Sequence, residues 1–313
     1  MTYKRMIPFL LPAFAAAMLL FHSCKEDSQA GSTGQLNLEI TDGPIDDTSV
    51  KGVFITITEV QVDGQTFYGF LGKKTVNLLD YQQGNVAALG LGNLDAGSYQ
   101  QITLILDHQA DATGSGPGCY VLTDDNVKHA LSSAATQVIE IRKNFGIEAG
   151  KKTELVIDVD LRKAVQYQNG STDKYDFVAA SDLQSAIRLV VKNDAGSISG
   201  ACLNDIVIAD KIIVYAYKKG DFNRAVEIES QNGVAFKNAV ASAVVGNQGQ
   251  FTLSFLDEGD YELHFAAYKD TDNDDRLEML GTLLLNSLVN LESIRLEANT
   301  DVQLEILVTG ILP

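Results

Sequence analysis

The residues best equipped for chemistry stand in one string, Asp270-Thr271-Asp272-Asn273-Asp274-Asp275-Arg276-Leu277-Glu278. Asp270, Asp272 and Asp274 occupy positions one, three and five of it. Alternate side chains converge in a tight loop, and hard carboxylate oxygens at that spacing wrap a calcium ion, with Glu278 as a further ligand. An EF-hand is excluded. Its sixth position takes glycine and its twelfth a bidentate Glu, whereas this chain has Asp275 and Gly281 there. What remains is a shorter D-x-D-x-D loop. It reads as a weak calcium site, because mutual repulsion among the aspartates calls for a cation, or as a polar hairpin kept soluble by its charge. A second acidic set is Asp158 and Asp160, which alternation places on one strand face opposite Leu155, Ile157 and Val159. Asp42, Asp46 and Asp47 are the acids that would approach them. A metal or ligand site there competes with ordinary solvent-facing strand acids.

Other chemistry is thin. His108, His129 and His264 do not pair at metal-ligand spacing, and no H-E-x-x-H occurs. No G-x-S-x-G elbow and no Cys-His arrangement is legible. Cys119 and Cys202 fall in what read as different domains, so two unpaired, buried thiols are expected ahead of a bridge. The formal net charge of −17 excludes charge-driven binding to nucleic acid or anionic headgroups.

The amino end sets the compartment. Lys4 and Arg5 precede the apolar run Met6–Phe21, which is too short for a comfortable membrane span and carries Pro8 and Pro12. A basic start, a short apolar core and a small residue before the cut describe a secretory signal over residues 1–23. Ser23-Cys24 resembles the lipobox of bacterial lipoproteins, with Phe21 where that motif favours Leu. The resemblance implies that Cys24 takes a diacylglycerol and becomes the new amino terminus. Lys25-Glu26-Asp27 resembles the surface-export signal of Bacteroidota lipoproteins. It implies an outer-membrane protein facing the cell exterior, with the periplasmic face as the alternative. Residues 24–34 then form a lipidated, flexible tether.

The remainder alternates with period two, the mark of half-buried strands. Strands are predicted at Gln35–Thr41, Val53–Val62, Thr75–Leu79, Ser98–Asp107, Lys152–Leu161 and Ile187–Lys192. In Val53–Val62 the apolar parity shifts at Val60, which predicts a bulge near Glu59. Val127–Ala135 reads as a helical turn or two. Asn193–Ser197 reads as a hinge, and the pattern then restarts at Ser197–Ala201, Lys211–Lys218, Gln250–Phe255, Tyr261–Lys269 and Asp301–Val308. Both faces of Lys211–Lys218 are apolar, as in a central strand. Many short strands with turns between them predict an all-β fold of two β-sandwich domains in tandem, 35–192 and 197–313.

Four motifs in order bear a family resemblance. Thr41-Asp42-Gly43-Pro44, Val53–Val60, Leu94–Ile102 and Glu154–Asp160 resemble the turn and strand motifs of the bacterial family named domain of unknown function 4382. The likeness spans roughly residues 35–191. It implies an envelope location and a β-rich fold, and no chemistry. The order of a strand, an acidic-Gly turn and Gly259-Asp260-Tyr261-Glu262-Leu263 resembles small sandwich modules of the carboxypeptidase-regulatory or transthyretin-like kind.

The function these features point to is a surface binding or structural protein, held to the membrane by its lipid and meeting a glycan, protein or matrix partner. Trp is absent, so Tyr68, Tyr81, Tyr167 and Tyr175 would have to supply any aromatic platform. The alternatives are an assembly subunit that pairs strand edges, with Gly310–Pro313 as an apolar tail able to dock elsewhere, and a carboxylate-based hydrolase.

Overall fold

The computed structural model describes Met1 and residues 32–45, 47–132, 134–168, 174–228 and 234–313. Cys24, Lys25, Glu26, Asp27 and Asp46 lie outside the described residues. The chain is all-β, as its alternation predicts.

Thr33–Asp42 turns Leu36, Leu38 and Ile40 fully inward. It pairs antiparallel with Ala87–Asp95 and parallel with Lys152–Val159, and Ile187–Val191 completes a four-stranded sheet. Across the core stands a seven-stranded sheet centred on Val50–Val62, which pairs with Gly97–Asp107 and Tyr120–Thr123. Thr136–Ile147 adds to the far side of Gly97–Asp107. The predicted parity shift is present as a register shift between Ile57 and Glu59, which keeps Val60 and Val62 buried with Val53 and Ile57. One apolar cluster, from Leu36 to Leu189, joins the two sheets.

A second apolar cluster runs from Ile198 to Val308. Lys211–Lys218 is central, as expected. Ile212, Val214 and Ala216 face this cluster, while Ile213, Tyr215 and Tyr217 face a third with Phe236 and Tyr268. The segment around the short helix Arg224–Glu227 covers that outer face, with Tyr215 and Phe236 stacked at 3.9 Å. Glu278–Ser287 pairs with Gly259–Lys269 through its first half and with Asp301–Leu312 through its second. That one strand thus joins the two parts of a single eight-stranded sheet.

Three local expectations are corrected. Val127–Ala135 is not helical: Lys128–Ala130 is a strand paired with Tyr120–Leu122, and buried His129 packs against Tyr175. The hinge at Asn193–Ser197 is a single 3-10 turn, Lys192–Asp194, running straight into the strand Ala195–Leu203. Backbone bonds from Asn299 to Ala195 O and from Ser197 to Thr300 O, both 2.9 Å, fasten that strand at once. The apolar tail is part of the sheet, with Ile311 opposite Leu283 and Leu312 opposite Thr282.

The two halves repeat one topology. In the first, the opening strand Thr33–Asp42 pairs antiparallel with Ala87–Asp95 and parallel with Lys152–Val159. In the second, Ala195–Leu203 pairs antiparallel with Gln250–Asp257 and parallel with Asp301–Leu312. The following strand pairs antiparallel with Gly97–Asp107 in one case and with Gly259–Lys269 in the other. Each of those pairs in turn with the next long strand, Thr136–Ile147 or Glu278–Ser287. The corner between the sheets has matching sequence, Leu94-Asp95-Ala96-Gly97-Ser98-Tyr99 and Leu256-Asp257-Glu258-Gly259-Asp260-Tyr261. Gly259, at φ +149°, sits where a side chain is rarely accommodated. In both corners the tyrosine hydroxyl donates to the carbonyl four residues back, Tyr99 to Asp95 O at 2.8 Å and Tyr261 to Asp257 O. A net hydrogen bond of this kind contributes about 1 kcal/mol. Tyr99→Phe and Tyr261→Phe are therefore expected to lower stability in urea unfolding by about that much each. The effect should be larger at Tyr261, whose oxygen also accepts from Lys218 Nζ at 2.7 Å. Unchanged midpoints for both would contradict the shared corner.

Candidate functional site

Charge is concentrated where the two halves meet. Lys152–Val159 carries Asp158 and runs on through Asp160 into a single helical turn, Leu161–Ala164. That turn directs Arg162 and Lys163 back toward Asp160, whose Oδ2 accepts from Arg162 at 2.8 Å and lies 3.2 Å from Lys163 Nζ. Burial alone would raise the Asp160 carboxyl, but these two cations hold it below its ordinary value. Lys163 is itself pushed down by burial. Both cations also reach the second half, Arg162 to Ala235 O at 3.1 Å and Lys163 to Ala239 O at 2.6 Å. The Arg162 guanidinium lies 4.8 Å over the Tyr215 ring. Arg188 repeats the device, bonding Asp158 at 2.7 Å and the carbonyls of Phe255 and Ser254 at 2.7 and 3.3 Å. At the rim, Lys143 pairs with Asp257 at 2.9 Å.

Asp42 completes this seam. Gly43 N bonds Val159 O at 2.8 Å, which brings the Asp42 turn onto the end of Lys152–Val159. Asp42, Asp158 and Asp160 line one cavity of about 60 Å³ with Lys163, Arg188 and Ser242. Asp42 Oδ1, Asp160 Oδ1 and Ser242 Oγ are buried and have no hydrogen-bond partner among the described residues. A cavity of that size admits water able to bridge them. Burial raises the Asp42 carboxyl well above the usual carboxylate range; the Gln82 amide opposes the shift, and the charges of Asp158 and Asp160 add to it. Of the acids expected near Asp158 and Asp160, Asp42 therefore meets them. Asp47 is engaged elsewhere, accepting from Tyr175 Oη at 2.6 Å and from Ser49 Oγ at 2.6 Å.

Beside the seam opens a larger cleft of about 500 Å³, walled by Tyr167 and Tyr175 from the first half and by Lys237 and Arg276 from the second. The Tyr167 and Tyr175 rings meet edge to face at 5.5 Å, and the Arg276 guanidinium stacks 4.3 Å over Tyr167.

The D-x-D-x-D string forms the loop between Gly259–Lys269 and Glu278–Ser287. Asp270, Asp272 and Glu278 each bring a carboxylate oxygen within 4.8 Å of the others. Asp274 is outside that set and instead accepts from Arg276 N at 2.9 Å. Asp270 accepts backbone N–H from Asn273 and Asp275 at 2.7 and 3.1 Å, and Glu278 accepts the Thr271 hydroxyl at 2.7 Å, which lowers its carboxyl. Local desolvation and then the charges of Asp274, Glu278 and Asp270 raise Asp272. Asp275, at the position that takes glycine in an EF-hand, adopts a left-handed φ of +67°.

The histidines are dispersed. His108 meets Gln137 at 3.1 Å, His129 meets Thr123 at 3.3 Å, and His264 stacks on Phe222 at 3.6 Å. Cys119 and Cys202 are free and buried, and burial pushes their thiols up to about 12 and about 11. Arg162, Lys163, Arg188 and Lys237 carry no motif. The one signal for the first two was a D-x-R-K cluster directly after an apolar strand.

Fold and site together define a double β-sandwich with a charged seam and an adjoining cleft. Residues 33–179 match the model of the family described as domain of unknown function (DUF4382), overlapping most of the span where the motifs resemble it. No curated protein sequence matches the chain. Among solved structures, the chain is similar to a leucine-rich repeat protein from Bacteroides thetaiotaomicron at 11% identity, covering 90% of this chain and 26% of that one, TM-score 0.20. It is similar to the Bacillus anthracis TIE protein at 12% identity, covering 86% and 33%, TM-score 0.17. It is similar to GBS52, the minor pilin of Streptococcus agalactiae, at 12% identity, covering 88% and 98%, TM-score 0.20. The chain thus spans about a quarter and a third of the first two. At such scores the architecture is read from this chain's own sheets.

Two substitutions test the seam. Asp160→Ala removes the carboxylate shared by two buried cations and is expected to cost about 3–5 kcal/mol. Asp42 has the opposite sign. A carboxyl raised by folding adds its full contribution below the ordinary carboxylate range and loses it as pH rises through its folded value. Asp42→Asn should therefore melt higher than the wild type at about pH 8, with the gap closing toward about pH 4. An advantage that grows on acidification would contradict this placement.

Proposed function

We propose that the chain is a lipid-anchored protein of the bacterial outer membrane, displayed on the cell exterior, that binds an extracellular glycan, protein or matrix partner and performs no catalysis. A DUF4382 sandwich stands next to the tether, and a transthyretin-like sandwich follows it. The observation that carries the reading is the cleft of about 500 Å³ walled by Tyr167 and Tyr175, a size that suits a small ligand or a sugar unit. Arg162 and Lys163 belong to both seam and cleft, so that wall is held before any ligand arrives. The Ser23-Cys24 motif and the Lys25-Glu26-Asp27 run support the anchoring and the outward face.

We assign calcium to Asp270, Asp272 and Glu278 as a loop-stabilising ion, with Asp274 as an outer charge. The convergence of three carboxylates supports this assignment, and millimolar extracellular calcium suffices for a weak site.

Protease added to intact cells should degrade the wild-type protein, whereas Cys24→Ala should release it from the membrane fraction. Protection of the wild type in intact cells would contradict outward display. Millimolar calcium should raise the melting temperature of the wild type and leave Asp272→Asn unmoved; a wild type indifferent to calcium removes the ion from the account.

A further inference from the structure

We propose that the cleft between the halves binds a carboxylate-bearing saccharide, held by Arg276 and Lys237 against Tyr167. The proposal rests on the reading of the chain as a surface binding protein and names its ligand class.

The chain has 41 acidic residues against 24 lysines and arginines. The cleft runs against that balance: among the described residues, Arg162, Lys163, Lys237 and Arg276 stand in its wall with Asp47 and Asp182 as the acids. Arg162 and Lys163 are already engaged by Asp160. Asp47 is engaged by Tyr175 and Ser49. Asp182 is exposed.

Lys237 and Arg276 differ from all of these. Both side chains are half-buried, and neither makes a side-chain hydrogen bond or ion pair among the described residues. Half-burying a cation without a directly bonded carboxylate is unfavourable, so a built site of this kind suits an anion that arrives from outside. The stack on Tyr167 fixes the guanidinium plane at 4.3 Å, which orients its fork of donors before binding. A planar fork matches the two oxygens of a carboxylate. The tyrosine rings give the apolar wall that the faces of a sugar ring require.

The surroundings narrow the class further. Asp274 and Asp275 flank Arg276 on its other side, in a smaller pocket of about 160 Å³ with Asp124 and Asp125. Together with the strong net negative charge they repel polyanions at long range. Recognition is therefore short-range and geometric. A single carboxylate on a sugar ring fits, and a polysulfated chain does not.

The test is an array of uronic- and sialic-acid oligosaccharides beside their neutral counterparts and heparin, probed with the purified full chain in detergent. Wild type, Lys237→Ala, Arg276→Ala and Arg276→Lys are compared after their melting temperatures have been matched. Lys237→Ala, a half-buried side chain with no partner to lose, guards against misfolding at Arg276. The expected result is binding of acidic but not neutral sugars. Lys237→Ala and Arg276→Ala should each weaken it about ten-fold or more, and Arg276→Lys should fail to restore it. Equal binding of neutral counterparts, preference for heparin, or acidic binding untouched by the variants would each overturn the proposal. So would binding of no saccharide at all. In every case outward display is read independently by protease treatment of intact cells, so failure of the ligand class and failure of the surface reading are told apart.

Discussion

Buried charge between the two sandwiches constrains everything else in the molecule. Asp160 holds Arg162 and Lys163, Asp158 holds Arg188, and all three cations end on backbone carbonyls of the second half. A buried ion pair adds little net stability compared with apolar residues of the same shape, yet breaking one is costly. The seam therefore acts mainly by excluding other arrangements. Any slippage of one half against the other leaves a cation stripped of both carboxylate and carbonyl. One wall of the cleft inherits that rigidity, since Arg162 and Lys163 belong to both seam and cleft.

The repeat of topology explains how an undifferentiated scaffold carries distinct surfaces. The same order of pairings and the same Leu-Asp-x-Gly-x-Tyr corner occur twice. What differs is the matter between strands. The first half spends residues on its loop after Asp107 and on the turn at Leu161–Ala164; the second has the acidic loop after Lys269 and the cover over Tyr215 and Tyr217. Loops on a fixed frame are where recognition is easiest to vary. Lys237 and Arg276 come from those differing segments, while Tyr167 comes from a small hairpin appended to the first sandwich.

Alternation made much of the frame readable in advance. Lys211–Lys218 has its predicted limits, and the bulge beside Glu59 falls where parity breaks. Thr136–Ile147 escaped because Lys143 interrupts its inward stripe of Ile139, Ile141, Phe145 and Ile147; that lysine turns out to reach Asp257. The parallel pairing of Thr33–Asp42 with Lys152–Val159 joins segments far apart in sequence and has no local signature. The site was legible in its acids and in two of its tyrosines, Tyr167 and Tyr175. Asp42, Asp158, Asp160 and the Asp270–Glu278 loop stand out by type and spacing. The cations that give the seam and cleft their chemistry look like ordinary surface residues until tertiary packing buries them.

The most direct measurement of this account is hydrogen exchange along a urea series, followed by mass spectrometry of peptides from both halves. If the seam binds the sandwiches into one cooperative unit, peptides from Thr33–Asp42 and from Asp301–Leu312 lose protection at the same urea concentration. Loss of protection in one half while the other stays fully protected would contradict it.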